Sequence, residues 1–121
     1  MNMRSQAPVN LGSETVIAAG TIVVGDIIFS GRLRIDGEVT GDVSGAEGQL
    51  TTLAVGESGR VDGSVEVTDA VIHGTLIGNV CATGQITIFS KAQLNSDVTY
   101  AGLEMHLGAI IHGRLGVMDA N

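Results

Sequence analysis

The sequence predicts an all-β, single-domain β-helix, a parallel β-solenoid of about six windings, on three observations. First, an aliphatic residue, any residue, a glycine or serine, any residue and a second aliphatic residue recur in that order along the chain. Second, the segments around these repeats alternate between apolar and polar residues. Third, the chain is rich in aliphatic residues and glycine but poor in aromatic residues.

The repeats have the spacing of windings in a narrow coil. Their central residues are separated by 16, 22, 15, 18 and 17 positions, and intervals of this size are typical of solenoids, in which each repeat stacks on its neighbours. At about 3.3 Å per residue, one winding has a perimeter of about 56 Å, enough for three short faces. The central residues are Gly25, Gly41, Gly63, Gly78, Ser96 and Gly113.

Between residues 33 and 43 the odd positions are aliphatic or glycine, and the even positions are polar or charged. This period of two predicts strands with one buried and one exposed face. It includes Gly41, where we expect a small inward residue because a larger side chain would meet the opposite walls of the coil. The same parity predicts these later inward aliphatic residues: Val61, Val65, Val67, Ile72, Leu76, Val80, Ile86, Ile88, Ala92, Leu94, Val98, Leu103, Met105, Leu107, Ala109, Ile111 and Leu115.

The composition agrees with stacked strands and tight corners. The 121 residues are 44% hydrophobic and only 2% aromatic, with 18 glycines. The single proline is Pro8, so every later residue carries the backbone N–H that a strand in the middle of a sheet needs.

We predict a flexible N-terminal tail over residues 1–13, the β-helix over residues 14–115 and a short C-terminal tail over residues 116–121. The N-terminal segment holds the proline and several polar residues, which suggests mobility. The long interval of 22 positions contains residues 45–49, which we interpret as a bulged loop between windings, since insertions in repeat proteins fall in loops.

Charge and cysteine usage exclude several classes of function. The formal net charge of −7 and the six scattered basic residues argue against direct binding of nucleic acid. A single cysteine, Cys81, excludes an internal disulfide framework. Together with the lack of a secretory signal, it predicts a cytoplasmic protein. No apolar run approaches the roughly 18 residues that cross a bilayer.

No pattern predicts catalysis, a cofactor or a bound metal. The only lysine, Lys91, is not preceded by the glycines of a phosphate-binding loop. His73 and His106 occupy similar exterior positions two windings apart, with Phe89 between them, so their backbones should lie about 10 Å apart and their rings cannot share one zinc ion. Cys81 has no neighbouring base to activate it.

Aspartates recur beside the corner glycines. Asp26, Asp42 and Asp97 could form a calcium column along the rod, but Ser64 and other residues interrupt it. We expect each corner aspartate to bond its own turn.

A β-helix without caps exposes open strand edges and apolar core at both ends. We therefore predict self-assembly through the terminal windings. An alternative is that Val9 and Leu11 fold back over the first winding. The residues predicted for the N-terminal contact are Val16, Ile17, Ile22 and Val24, and those for the C-terminal contact are Met105, Leu107, Ile110, Ile111 and Leu115.

Several segments with glycine, acidic and aliphatic residues at the corners resemble the bactofilins, bacterial polymer-forming proteins. The resemblance covers about 100 residues and departs from the family pattern at Ser96, where a glycine is expected. The segments that carry it are residues 25–27, 31–43, 59–65 and 74–80.

The resemblance implies a right-handed β-helix that assembles into filaments without nucleotide. It also implies a peripheral position on the inner membrane through the N-terminal segment, where Met1, Met3 and Arg4 would make the contact. The implied role is a scaffold, not an enzyme. Its partners would be copies of itself, the membrane surface, and cell-wall enzymes or other morphogenetic proteins.

Two other readings remain open from the residues alone. A left-handed hexapeptide-repeat acyltransferase would need nearly constant windings of 18 residues and a histidine base in a cleft between subunits. A passive β-solenoid module would bind a sugar or a protein along one face.

Overall fold

The computed structural model describes residues 2–4, 9–11, 14–46 and 50–117 and confirms the predicted fold class. These residues form strands and tight corners without a helix, and every strand pairing is parallel. The strands are β1 (Asn2–Arg4), β2 (Val9–Leu11), β3 (Glu14–Ile17), β4 (Ile22–Val24), β5 (Ile27–Phe29), β6 (Gly31–Ile35), β7 (Glu38–Thr40), β8 (Val43–Gly45), β9 (Thr51–Val55), β10 (Arg60–Asp62), β11 (Val65–Val67), β12 (Asp69–Ile72), β13 (Thr75–Ile77), β14 (Val80–Ile88), β15 (Gln93–Asn95), β16 (Val98–Met105), β17 (Ile110–His112) and β18 (Leu115–Val117).

The strands stack into three faces, as the perimeter of the windings predicts. Face A consists of β1, β4, β7, β10, β13, β15 and β17. Face B consists of β2, β5, β8, β11, the first parts of β14 and β16, and β18. Face C consists of β3, β6, β9, β12 and the last parts of β14 and β16. Because β14 continues around the corner between faces B and C, their strands form one hydrogen-bonded sheet.

The register along face A reproduces the spacing of the sequence repeats. Each aliphatic residue that precedes a corner pairs with its counterpart one winding away, at offsets that match the repeat intervals. About six windings therefore form a rod of about 30 Å at the usual spacing between strands. The paired residues run in the order Val23, Val39, Val61, Leu76, Leu94 and Ile111. The handedness of the coil stays a prediction.

Strand pairing extends to the N-terminal side of residue 14, the start that the sequence predicted for the β-helix. β1 pairs with β4, with Met3 opposite Val23, and β2 pairs with β5, with Leu11 opposite Phe29. The physical reason is that β4 and β5 would otherwise leave their backbone N–H and C=O groups unpaired along one edge. Residues 1–13 thus contribute two strands to the stack.

The extra residues of the long interval lie at the corner between β8 and β9. This matches the predicted position of the insertion, although residues 47–49 lie outside the described part of the chain. Two threonines join this corner to the equivalent corner of the next winding. The N–H of Thr51 donates to Oγ1 of Thr68, and the N–H of Thr68 donates to Oγ1 of Thr51, both at 3.1 Å. These reciprocal bonds satisfy backbone groups at the irregular corner.

The inward parity predicted from the sequence forms one continuous core along the rod. It consists of valine, isoleucine, leucine and alanine side chains together with Phe29. The inward parity changes from odd to even between Val67 and Ala70 and returns to odd between Val98 and Leu103. Both changes fall where the chain turns from face B to face C.

The corner glycines between faces A and B are required for a different reason from the one we expected. Gly63 has a φ of +151°, and a Cβ atom there would collide with the carbonyl oxygen of Gly41. Gly41 has the same relation to Gly25. The expectation that opposite walls exclude a side chain is wrong, because the equivalent corner of the adjacent winding is much closer. Ser96 tolerates this corner with its hydroxyl donating to the Leu76 carbonyl at 3.2 Å.

The corner aspartates bond the next winding. The expectation that each of them bonds its own turn is therefore wrong. Oδ1 of Asp26 accepts from the N–H of Asp42 at 3.0 Å, and Oδ1 of Asp42 accepts from the N–H of Ser64 at 3.1 Å. Asp97 accepts in the same way from the N–H of Arg114 at 3.1 Å. These N–H groups lie at corners between strands, and the carboxylates supply their acceptors.

We expect Gly63→Ala to destabilise the fold by about 3 kcal/mol or more, because the new Cβ adds a backbone collision to the strain of a positive φ. Gly20→Ala is the matched control. Gly20 has a φ of +86°, but no atom lies within 4 Å of its Cβ position. The control should lose only about 1–2 kcal/mol. Urea unfolding followed by circular dichroism gives both values, and equal losses would contradict the role assigned to corner stacking.

We expect Asp42→Ala to lower the free energy of unfolding by about 1 kcal/mol, because the N–H of Ser64 loses its acceptor. Asp62→Ala removes the same charge from an exposed position in β10 and serves as the control. Both proteins should be unfolded in urea at one protein concentration, since association shifts apparent stability. A loss in Asp62→Ala as large as that in Asp42→Ala would mean that charge alone accounts for the effect.

Candidate assembly surfaces

The C-terminal end of the rod exposes a cross-section of the apolar core. The outermost described strands there are β17 on face A, β18 on face B and residues 102–105 of β16 on face C. Leu103 and Ile111 pack against the core but are only partly buried, and Met105, Leu115 and Val117 are exposed. This end therefore combines apolar side chains with rows of backbone groups that have no strand beside them among the described residues.

Leu107 lies at the tip of the last corner between faces C and A. Its side chain is 97% exposed, the highest value among the exposed large hydrophobic residues, and so the predicted inward position is wrong. The reason is a four-residue turn, in which the N–H of Ala109 donates to the carbonyl of His106 at 3.4 Å. One winding earlier, Ser90 occupies the equivalent tip position. The last winding therefore has a leucine where the preceding winding has a serine.

The structure brings all five residues predicted for the C-terminal contact into the last winding. Met105 and Leu107 lie on the face C side, and Ile110, Ile111 and Leu115 lie on β17 and β18. Sequence reasoning missed Val117, which is 71% exposed. Extending the odd parity by one step beyond Leu115 would have found it.

The residues predicted for the N-terminal contact are less well placed for contact at an end. Ile17 is buried in the core and offers little surface. Ile22 and Val24 are exposed on β4, but β1 covers the edge of that strand, so they lie on the flank of the rod. Val16 is exposed on β3, the outermost strand of face C at this end.

The residues predicted for the membrane contact surround the first strand. Met1 lies outside the described residues. Met3 and Arg4 lie in β1, where Met3 pairs with the buried Val23 and Arg4 with the exposed Val24. No helix within the described ranges has the length and apolarity needed to cross a bilayer.

Three aromatic rings form a column at the corner between faces C and A. The rings of His73 and Phe89 are 4.1 Å apart at 8°, and those of Phe89 and His106 are 4.6 Å apart at 14°. The two histidines thus stack on opposite sides of one phenyl ring, in the order that the sequence predicted. His112 lies elsewhere, on β17 of face A. The histidines therefore do not converge on one site within the described structure.

The remaining candidates for chemistry are Cys81 and the side chains that could bind a metal ion. Burial, and to a lesser degree the Glu66 carboxylate, raises the pKa of the Cys81 thiol above its ordinary value. A raised pKa disfavours the thiolate, which is the nucleophilic form. Among the described residues, no three histidine, cysteine, aspartate or glutamate side chains are grouped closely enough to hold a metal ion.

A shallow depression of about 870 Å³ lies on face C. The residues that line it include Ala54, Val71, Arg32, Arg34 and His73. Nε of Arg34 donates to the carboxylate of Asp36 at 3.0 Å. Positive and negative groups are mixed around this depression, so its charge does not select a particular ligand.

Comparisons with known proteins identify the family of the chain. The family model described as "Bactofilin: Polymer-forming cytoskeletal" matches residues 15–116. The chain is 34% identical over 103 residues to Bactofilin BacP of Myxococcus xanthus (strain DK1622), which covers 82% of this chain and 42% of that protein. The chain thus spans less than half the length of this relative. No solved structure matches the chain. The family match covers nearly all of the described rod, and the chain belongs to the bactofilins, a family of polymer-forming cytoskeletal proteins.

Proposed function

We propose that this protein assembles end to end into filaments through its terminal windings and that the filaments act as a scaffold at the inner membrane. The observation that carries the proposal is the apolar C-terminal end, where Met105, Leu107, Leu115 and Val117 are exposed beside open strand edges. A second copy placed on this end would bury the side chains and pair the backbone groups together.

The driving force in this proposal is burial of apolar surface and strand pairing, so assembly needs no nucleotide. The long faces of the rod oppose side-by-side association, because the chain carries a net charge of −7. The ion pair between Lys91 and Glu57, at 3.6 Å, joins corners two windings apart on the flank. Attraction is therefore concentrated at the ends, which favours linear polymers.

The apolar C-terminal end bears on the polarity of the filament. Five large apolar side chains are exposed there, those of Met105, Leu107, Ile110, Leu115 and Val117. If like ends meet, this contact forms a two-fold dimer, and dimers then join through their N-terminal ends. Such a filament has no direction.

The membrane and the cell wall are the proposed setting of the scaffold. Each copy contributes only Met1, Met3 and Arg4, a weak contact by itself. A filament presents many copies, and multivalency raises avidity by about 10²- to 10⁴-fold. Bound filaments would then position cell-wall enzymes or other morphogenetic proteins and so influence cell shape.

We expect Leu107→Arg to abolish filaments while the β-structure survives. A charge buried without a partner costs about 3 kcal/mol or more, which weakens the contact by about a hundredfold or more. Leu50→Arg is the matched control, because Leu50 is 84% exposed beside the insertion, away from both ends. Sedimentation and negative-stain electron microscopy without nucleotide should show filaments for wild type and Leu50→Arg. Unchanged filaments in Leu107→Arg would overturn the proposed contact.

The product that remains in Leu107→Arg identifies the polarity. If like ends meet, the intact N-terminal contact leaves dimers, which analytical ultracentrifugation would detect. Uniform monomers over the whole concentration range would instead favour head-to-tail stacking.

We expect Arg4→Glu to weaken binding of the polymer to vesicles of anionic lipid by about tenfold or more while filaments persist, since it replaces an attractive charge with a repulsive one in every copy. The substitution is sharper than deletion of residues 1–8, because deletion would also remove β1. Arg60→Glu makes the same charge change on the same face, three windings away, and is the control. Vesicle co-sedimentation measures the effect, and equal losses in both variants would show that net charge, not the N-terminal segment, governs binding.

The membrane contact should also depend on polymerisation. A Leu107→Arg protein with the wild-type N-terminal segment should bind the same vesicles poorly, because each unit presents too few copies of the contact. Binding of Leu107→Arg as strong as that of filaments would contradict the role of multivalency.

A further inference from the structure

The column of aromatic rings on the rod ends at His106. His73, Phe89 and His106 occupy the same corner in three successive windings and stack nearly parallel. The ring separations of 4.1 and 4.6 Å are close to the spacing of neighbouring strands. A further winding on this end would thus place a side chain against the outer face of the His106 ring.

That outer face is open among the described residues. Phe89 covers one face of the imidazole, and no described aromatic ring stacks on the other. The His106 side chain is 45% exposed, and Nε2 lies 3.9 Å from a carboxylate oxygen of Glu104. His106 directly precedes Leu107 and follows Met105, so it belongs to the same apolar end of the rod.

We propose that the open face of His106 is part of the contact between two copies at the C-terminal end, and that this contact forms only when His106 is neutral. The inference rests on the proposed end-to-end assembly, and the occupant is a second copy of this chain. The last winding supplies the strand edges, the apolar side chains and the ring spacing that a stacked copy continues.

The neutral form is required because the surrounding contact is apolar. Burying an imidazolium among Met105 and Leu107 removes it from water, and a charge in an apolar contact is costly without full pairing. Among the described residues, the acidic partner within 4 Å of His106 is Glu104, which lies on the exposed side of β16. Protonation of His106 therefore opposes assembly.

The other titratable groups near the column lie farther from the C-terminal end of the rod or on β17. His73 faces the opposite side of Phe89, and Lys91 in the turn after Phe89 pairs with Glu57. His112 lies on β17, where its side chain is exposed. Of the titratable groups on or beside the column, only His106 combines a ring in the stack with a position at the end.

The direction of the pH dependence follows from linkage. The assembled state excludes the charged imidazole, so assembly weakens as acidification populates that form. Histidine is the side chain that changes its charge between about pH 5 and 8. The critical concentration should therefore rise by about tenfold between pH 7.5 and pH 5.5, because an unpaired buried charge costs several kcal/mol.

The test compares His106→Gln with His73→Gln in the full chain. Each variant removes one ring from one side of Phe89, but only His106 lies at the end. Light scattering and sedimentation at pH 7.5, 6.5 and 5.5 give the critical concentration. Wild type and His73→Gln should lose assembly on acidification, and His106→Gln should not. Partial neutralisation of carboxylates lowers repulsion in all three proteins and acts in the opposite direction, so the difference between the variants isolates His106.

Three outcomes decide the inference. Loss of the pH response in His106→Gln alone supports it. An equal response in wild type and His106→Gln overturns it, and so does loss of the response in both variants, since the stack and not the end would then be responsible. Absence of wild-type filaments at every pH would overturn the proposed function itself, which separates that failure from the failure of this inference.

Discussion

The structure depends on one constraint: equivalent residues of successive windings must stack directly on one another. Gly63 shows why, since its backbone lies so close to the Gly41 carbonyl that a Cβ atom would collide with it. Strand register, corner hydrogen bonds and the core all follow from this stacking, because each residue finds its partners one winding above and below it. Windings of different length remain compatible with it when extra residues lie at a corner, as they do between β8 and β9.

The same constraint leaves the ends incomplete. In a stack that continues by identical rules, no strand at an end can pair on its outer side, and the core there has no lid. β1 and β2 extend the stack at the N-terminal end, whereas exposed Met105, Leu107 and Val117 mark the C-terminal end. A rod of this kind suits a polymer-forming family, because the stacking of windings that builds each subunit can also join subunits.

Side chains on the outer surface repeat the stacking in polar and aromatic form. Asp26 and Asp42 each bond the backbone of the next winding, and Phe89 lies between two histidine rings. These ladders hold the corners in register and give the flank a polar character. Where a ladder reaches an end, as at His106, the outermost ring stacks on a neighbour on one side only among the described residues.

The sequence by itself determined the fold class, the spacing of the windings and nearly all of the core, because strand parity and corner glycines are local patterns that the stack only repeats. It also identified the apolar residues of the last winding. Only the tertiary structure decided that Leu107 points outward, that Ile17 is buried and that Ile22 and Val24 lie on the flank. It also showed that Asp42 bonds the winding beyond it. Those facts depend on which strand lies next to which, and a turn such as that at residues 106–109 interrupts the parity that a sequence pattern extends.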